Sequence, residues 1–204
     1  MAKKRATYHH GDLKTALIHA ADEIIAESGI EGFSLRAAAQ RAGVSPGAPA
    51  HHFGSAKGLL TEVALLAFAK ADEMMKAVER ADNAAANMRA ISYAFVQFAY
   101  EHPGHFRLMF RHDLIDRKDP RYKEATEVPG KRLGAALEAY HGKAEKKISA
   151  FEHASDEFAG LALLHGMADM VIAEKIQHMF PRANAGEFVE KDLPKVLKLI
   201  YPDR

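Results

Sequence analysis

The run Phe33–Leu60, FSLRAAAQRAGVSPGAPAHHFGSAKGLL, places two helix starts and a tight turn in one short stretch. Ser34 is a good N-cap, because its side-chain oxygen accepts from the free amides of a first turn, and Leu35, Ala38, Ala39 and Ala42 follow at helical spacing. A first helix is expected from about Ser34 to Ala42. Gly43 supplies the freedom to turn sharply, Val44 is an apolar plug, and Ser45 followed by Pro46 reads as an N-cap with proline at the first helical position. The second helix is therefore expected over Ser45–Phe53. Pro49 falls at its fourth position, where it removes the first intrahelical donor and disfavours helical geometry at Ala48, so an irregular start is expected. The three alanines Ala37–Ala39 allow two helices to cross closely, as a helix-turn-helix corner requires. For a glycine turn alone, a plain hairpin in an all-α core is the more ordinary reading.

Beyond the corner, Gly54 and Ser55 cap a third helix that carries Leu59, Leu60, Val63 and Ala67 on one face. The whole string resembles the TetR family of bacterial transcriptional regulators. Ser34, Leu35, Arg36, Ala39, Arg41, Ala42, Gly43, Val44, Ser45, Gly47, Ala48, His52, Phe53, Ser55, Leu59 and Leu60 match the family's usual run in register. Upstream, YHHGDL at Tyr8–Leu13 is an opening found in a subgroup of that family. Downstream, Phe98–Phe110 and Leu161–Asp169 are similar to the ligand-binding region of the subgroup named for a Trp-His-Gly signature. Leu161 stands at the place of the tryptophan, and the chain has no Trp. Within the corner, Ala50 stands where the family has a phosphate-contacting tyrosine, and Ala56 where it has a lysine, with Lys57 one position later.

The resemblance implies an all-α fold with three parts: a helix-turn-helix domain over 1–55, a connecting helix over 56–82, and a ligand-binding and dimerisation domain over 83–204. It further implies a homodimer that binds double-stranded DNA at a palindromic operator, represses there, and is released by a small-molecule effector. No cofactor and no enzymatic activity are expected. Residues at the start of a second corner helix face base edges in the major groove. The DNA-contact candidates are thus Ser45, Pro46, Gly47, Ala48, Ala50, His51 and His52 on that helix, Ser34 and Arg36 before it, Lys57 after it, and the basic arm Lys3, Lys4 and Arg5. Such an arm can lie along phosphates or in a minor groove, or be a solvated terminus.

Composition bounds the remaining classes. A chain of 204 residues with 48% hydrophobic and 27% charged content can bury a sizeable core. A net charge of +1 argues against coating nucleic acid through bulk electrostatics, so affinity for DNA has to come from local placement of charge. The absence of cysteine removes disulfides and thiolate chemistry and fits a cytoplasmic location. There is no apolar run of signal-peptide or membrane-spanning type, so no membrane partner is expected. Serine-hydrolase elbow, phosphate-loop and HExxH signatures are all missing. The twelve histidines include His102 and His105, three apart, and His165, one turn before Asp169, but neither pair completes a metal-ligand set. A helical small-molecule or metal-binding module without a regulatory role is the competing class.

Helical patterns continue over about Asp12–Glu27, Ser55–Arg80, Ala84–Glu101, Pro103–Phe110, Pro120–Tyr140, Lys146–Met179 and Gly186–Ile200, and the charged loop around Asp113–Asp119 is expected to be mobile. The second half is rich in apolar and aromatic side chains, which suit either a plain core or a small-molecule pocket with a few placed polar groups. Tyr93, Phe98, His105, Phe106, Met109, Leu161 and His165 are its candidate lining. The stretch Phe151–Met179 is apolar around more of its circumference than one packing face needs, and the resemblance implies that with Gly186–Ile200 it makes a four-helix dimer contact.

Overall fold

A computed structural model describes residues 10–80, 83–142, 149–181 and 183–203. All regular structure among the described residues is helical. The chain divides into two compact units, one of Met1–Ala67 with Gly104–Tyr122 and the other of Phe68–Pro103 with Lys123–Arg204.

The first unit is built on α1 (His10–Ser28), whose Leu17, Ala20, Ala21, Ile24 and Ile25 are buried. A short 3-10 turn, Ile30–Gly32, leads to α2 (Leu35–Arg41). Ser34 caps α2 as expected, its Oγ accepting from the Ala37 amide at 3.0 Å. Gly43 takes the left-handed conformation at φ 69°, which a side chain would resist, and turns the chain toward α3 (Ala48–Phe53). The first part of α4 (Ala56–Ala77) then buries Leu59, Leu60, Val63 and Ala64. Two further pieces complete this unit. Helix α6 (Pro103–Met109) contributes Phe106, Leu108 and Met109, and the loop that follows it contributes Ile115; the preceding helix, α5 (Ala84–Glu101), belongs to the second unit.

Gly104 explains how α6 can lie against α1. A Cβ at this position would collide with the backbone carbonyl of Ile25 and crowd Gly29. Next to it, His105 is buried and its Nε2 lies 2.8 Å from Asp22 Oδ1 of α1. We expect Gly104→Val to destabilise the fold by about 1 to 3 kcal/mol through overpacking, lowering the thermal midpoint by about 2 to 4 °C for each kcal/mol. Calorimetry checks this, and an unchanged midpoint would mean that α6 is not docked on α1.

The loop after α6 is anchored, not the mobile segment expected from its charge. Thr61 of α4 is buried; its Oγ1 donates to the Lys57 carbonyl at 2.7 Å and accepts from the Asp116 amide at 2.8 Å. Arg121 adds a two-pronged contact to Glu62 at 2.9 and 3.0 Å. Burial pushes the Glu62 carboxyl up, but the hydrogen bonds and charge of Arg121, with Lys14 adding to them, outweigh it and hold the group below its usual range.

The second unit centres on α5 (Ala84–Glu101) packed against α8 (Ala150–Ile172). Met88, Ile91, Phe95 and Phe98 of α5 meet a core that includes Leu164, Ala168 and Val171 of α8. Helix α7 (Pro120–Tyr140) is tied to the end of α4 by Arg132, which binds Asp72 at 2.9 Å and Glu79 at 2.6 Å. The start of α8 is fixed by a capping box between Ser149 and Glu152.

In the second unit, α8 and the last helix depart from the sequence reading. Helix α8 ends at Ile172, not Met179, because Glu174 adopts φ 53° and the chain folds back to bury Ile176. The last helix is not uniform either: α9 (Ala185–Glu187) passes through a π-helical segment, Phe188–Asp192, into α10 (Leu193–Ile200). Pro194 has no amide to offer the ordinary i→i−4 ladder, and the wider π turn brings it to the first turn of α10, where no such donor is needed.

Candidate nucleic-acid interface

The regular part of the second corner helix starts later than the sequence reading placed it. Ser45 is not the cap and Pro46 is not its first residue. Instead the Ser45 carbonyl accepts from the Ala48 amide at 3.0 Å, Gly47 is the cap residue, and Pro49 falls in the first turn of α3. The reason lies in the two prolines. A helix begun at Pro46 would have Pro49 where a donor is needed, whereas a helix begun at Ala48 has it where the amide is spare. The irregular start expected from Pro49 is thus present, and Pro49 itself is buried.

This leaves Ser45, Pro46, Gly47, Ala50 and His51 exposed on one side of the corner, with Ala48 and His52 half-buried. Small exposed residues at Gly47 and Ala50 permit close backbone approach to a groove, and an alanine methyl suits a thymine methyl. His51 carries a hydrogen-bonding ring at the rim of that surface, in edge contact with His52 at 5.3 Å between centroids. Arg36 and Lys57 are exposed on the neighbouring helices. Ser34 is exposed too; its oxygen is used in capping, while its hydroxyl proton can still be given to a phosphate. Lys3, Lys4 and Arg5 lie outside the described residues.

Beyond the expected cap at Ser55, several supporting contacts have no signal in the sequence pattern. Helix α4 begins at a Ser55 whose Oγ accepts from the Gly58 amide, and Gly58 lies directly under the end of α3: a Cβ there would collide with the Phe53 carbonyl. Lys14 of α1 sits over the Phe53 ring at 5.7 Å and reaches Glu62 at 3.5 Å, joining α1, α3 and α4. Arg41 of α2 is held by Glu27 and Glu23 of α1, and the hydrogen bond from Arg41 holds the Glu27 carboxyl below its usual range. Close to Lys57, Asp113 is kept ionised by its hydrogen bonds with Arg111, with the charge of Lys57 adding to the effect, at a pKa of about 2.

The candidate lining residues of the second half fall in both units. His105, Phe106 and Met109 belong to the first, where all three are buried and His105 is engaged with Asp22. Tyr93, Phe98, Leu161 and His165 belong to the second. Phe98 is fully buried, and Leu161 lies on the exposed side of α8. His165 is half-buried with its ring 5.3 Å from that of Phe95, and burial pushes its pKa down. Tyr93 borders a cleft of ≈ 360 Å³ between α5 and α10. Among the described residues there is no group of three or more potential metal ligands, and no helix is long and apolar enough to cross a membrane.

Residues 17–63 match the family model described as bacterial regulatory proteins, tetR family, and residues 88–192 match the tetracyclin repressor-like C-terminal domain. No curated protein matches the chain. Among solved structures, it is similar to the TetR-family regulator PfmR of Thermus thermophilus, with 21% identity over 97% of this chain and 98% of that one and a TM-score of 0.63. A transcriptional regulator of Rhodococcus sp. Rha1 is 23% identical over 92% and 95% of the two chains, with a TM-score of 0.62. A protein of unknown function from Rhodococcus sp. RHA1 is 23% identical over 95% and 98%, with a TM-score of 0.70.

Proposed function

The chain belongs to the TetR family of bacterial transcriptional regulators, and we propose that it acts as a homodimeric repressor on a palindromic operator and is released by a small-molecule effector. The observation that carries the DNA-reading part is the set of exposed residues Ser45, Pro46, Gly47, Ala50 and His51, on a corner whose helix end at Phe53 rests on Gly58 of α4. In a two-fold dimer two such corners meet successive major grooves about one helical turn apart. Effector binding in the second unit then favours a dimer geometry whose reader spacing no longer fits the operator. On the stretch Leu161–Asp169, that unit is assigned to the Trp-His-Gly type, with Leu161 in place of the tryptophan. A cytoplasmic location follows from this role.

The dimer reading is supported by an apolar surface on α8. Phe151 is 81% exposed and Phe158 76%, with Leu161 and Leu163 also exposed, and Leu199 of α10 is 83% exposed. Large apolar side chains exposed on one stripe, as Phe151, Phe158 and Leu161 are, support an interaction site.

The test is binding to a duplex from the chain's own promoter at physiological salt, with non-specific competitor present. We expect specific binding that His51→Ala weakens by about 1 to 3 kcal/mol, with relaxed preference at one position in each half-site. No preference over competitor would remove the regulatory reading, and unchanged affinity in the variant would remove His51 from the contact set.

A further inference from the structure

The cleft beside Tyr93 has a floor and a mouth of different chemistry. Its apolar floor is formed by the buried Leu197 with the half-buried Val78 and Ala90, and Pro194 adds an exposed apolar edge, in a volume of ≈ 360 Å³, within the range of small-molecule sites. Its mouth carries three cations, Arg80, Arg89 and Lys198. One of these already shows how a carboxylate is received: Arg89 donates from Nη2 to Asp203 Oδ1 at 2.8 Å and from Nη1 to the Tyr201 carbonyl at 2.7 Å. The Asp203 carboxyl is held below its usual range, first by the Arg89 hydrogen bond, with the charge of Lys198 adding to it. The acid is more than half exposed, so the contact is accessible to exchange. Tyr93 adds a hydroxyl that burial keeps protonated, a donor at the cleft wall.

We propose that this cleft binds an apolar monocarboxylate, whose hydrocarbon body lies on the Val78–Leu197 floor and whose carboxylate replaces Asp203 at Arg89 with Lys198 beside it. An apolar floor alone would accept any hydrophobe. Arg89 and Lys198, which both act on Asp203, select a negative charge, and the guanidinium offers a carboxylate a planar set of donors. The apolar body in turn excludes small hydrophilic acids, which gain nothing from the floor. Exchange with Asp203 means that the last residues of the chain are displaced when the ligand enters.

This inference rests on the reading of the second unit as the effector-binding one, and its test does not depend on DNA. Calorimetric titration of the full-length protein with decanoate is compared with decanol and decylammonium. We expect decanoate to bind at least tenfold more tightly than either the neutral or the cationic analogue. Lys198→Gln should weaken decanoate binding several-fold and leave decanol unchanged. Asp203→Asn should tighten it, because the internal competitor is removed. Both substituted positions are exposed, so folding is retained, and thermal midpoints check this. Equal affinity for decanoate and decanol, or an Asp203→Asn variant that binds decanoate no better than the unmodified protein, overturns the proposal. Operator release by decanoate is measured separately: its absence would count against the effector reading and leave the cleft's specificity as the titration found it.

Discussion

Gly58→Ala is expected to lower operator affinity about 100-fold. In an ordinary helix the change would be favourable, since alanine exceeds glycine in helix propensity by up to about 1 kcal/mol. Here the added methyl meets the Phe53 carbonyl, a backbone atom that cannot rotate away, so α3 has to move off α4. Overpacking of this kind costs about 1 to 3 kcal/mol. When the reader shifts, the dimer bears the loss at both half-sites, and two losses of about 1.4 kcal/mol amount to about 100-fold. Fluorescence anisotropy on the promoter duplex measures the affinity, and circular dichroism shows whether helix content is kept. Gly134→Ala is the control: it is a helical glycine with open space around its Cβ position, and its replacement should leave DNA binding untouched. Equal operator affinity in the Gly58 variant would mean that α3 is not held by this contact.

Phe158→Glu is expected to convert the dimer to a monomer and to remove detectable operator binding, with helix content unchanged. Phe158 is largely exposed in the single subunit, so a carboxylate there is solvated until a partner arrives. In a two-fold interface the same charge is buried once from each side, without a counter-ion, and two uncompensated carboxylates exceed what the remaining contacts can offset. The choice of position matters. Ala168 and Val196 also lie on the expected contact helices, but Ala168 is fully buried within the subunit and Val196 is half-buried. A charge at Ala168 would therefore disrupt the α5–α8 core and report on folding. Analytical ultracentrifugation decides the matter: if the unmodified protein sediments as a monomer at micromolar concentration, both the interface and the palindromic operator are excluded.

What can be read from the sequence is what is encoded locally. Ser34 with its first-turn amides, Gly43 at the corner and the Ser149–Glu152 box each act across a few residues, and their helices begin or end where that chemistry places them. The excess of apolar residues around α8 is legible too, since no single packing face uses Phe151, Phe158 and Leu164 together. Other features depend on partners distant in the chain. Nothing near Thr61 indicates that it will anchor Asp116, and nothing near Gly58 or Gly104 indicates which carbonyl will press against it. The start of α3 differs from its expected place for another reason: two prolines compete for the one turn that tolerates them, and the sequence pattern alone favours the first. At Glu174 a charged residue takes a conformation that usually signals glycine, so no stop is visible.

The first unit is assembled from two separated pieces of chain, and this bears on synthesis and on engineering. During translation, Leu59, Leu60 and Val63 emerge long before Ile115, which is buried in the same unit, so the DNA-reading half stays incomplete until the polypeptide has passed through Phe68–Pro103. Such long-range closure slows folding and prolongs exposure of apolar surface to aggregation and proteolysis. A chimera that grafts only the first 55 residues of a relative onto this chain would pair a foreign α1 with the native Gly104 and His105. Exchange of Gly104–Tyr122 along with the graft keeps the matching surfaces together.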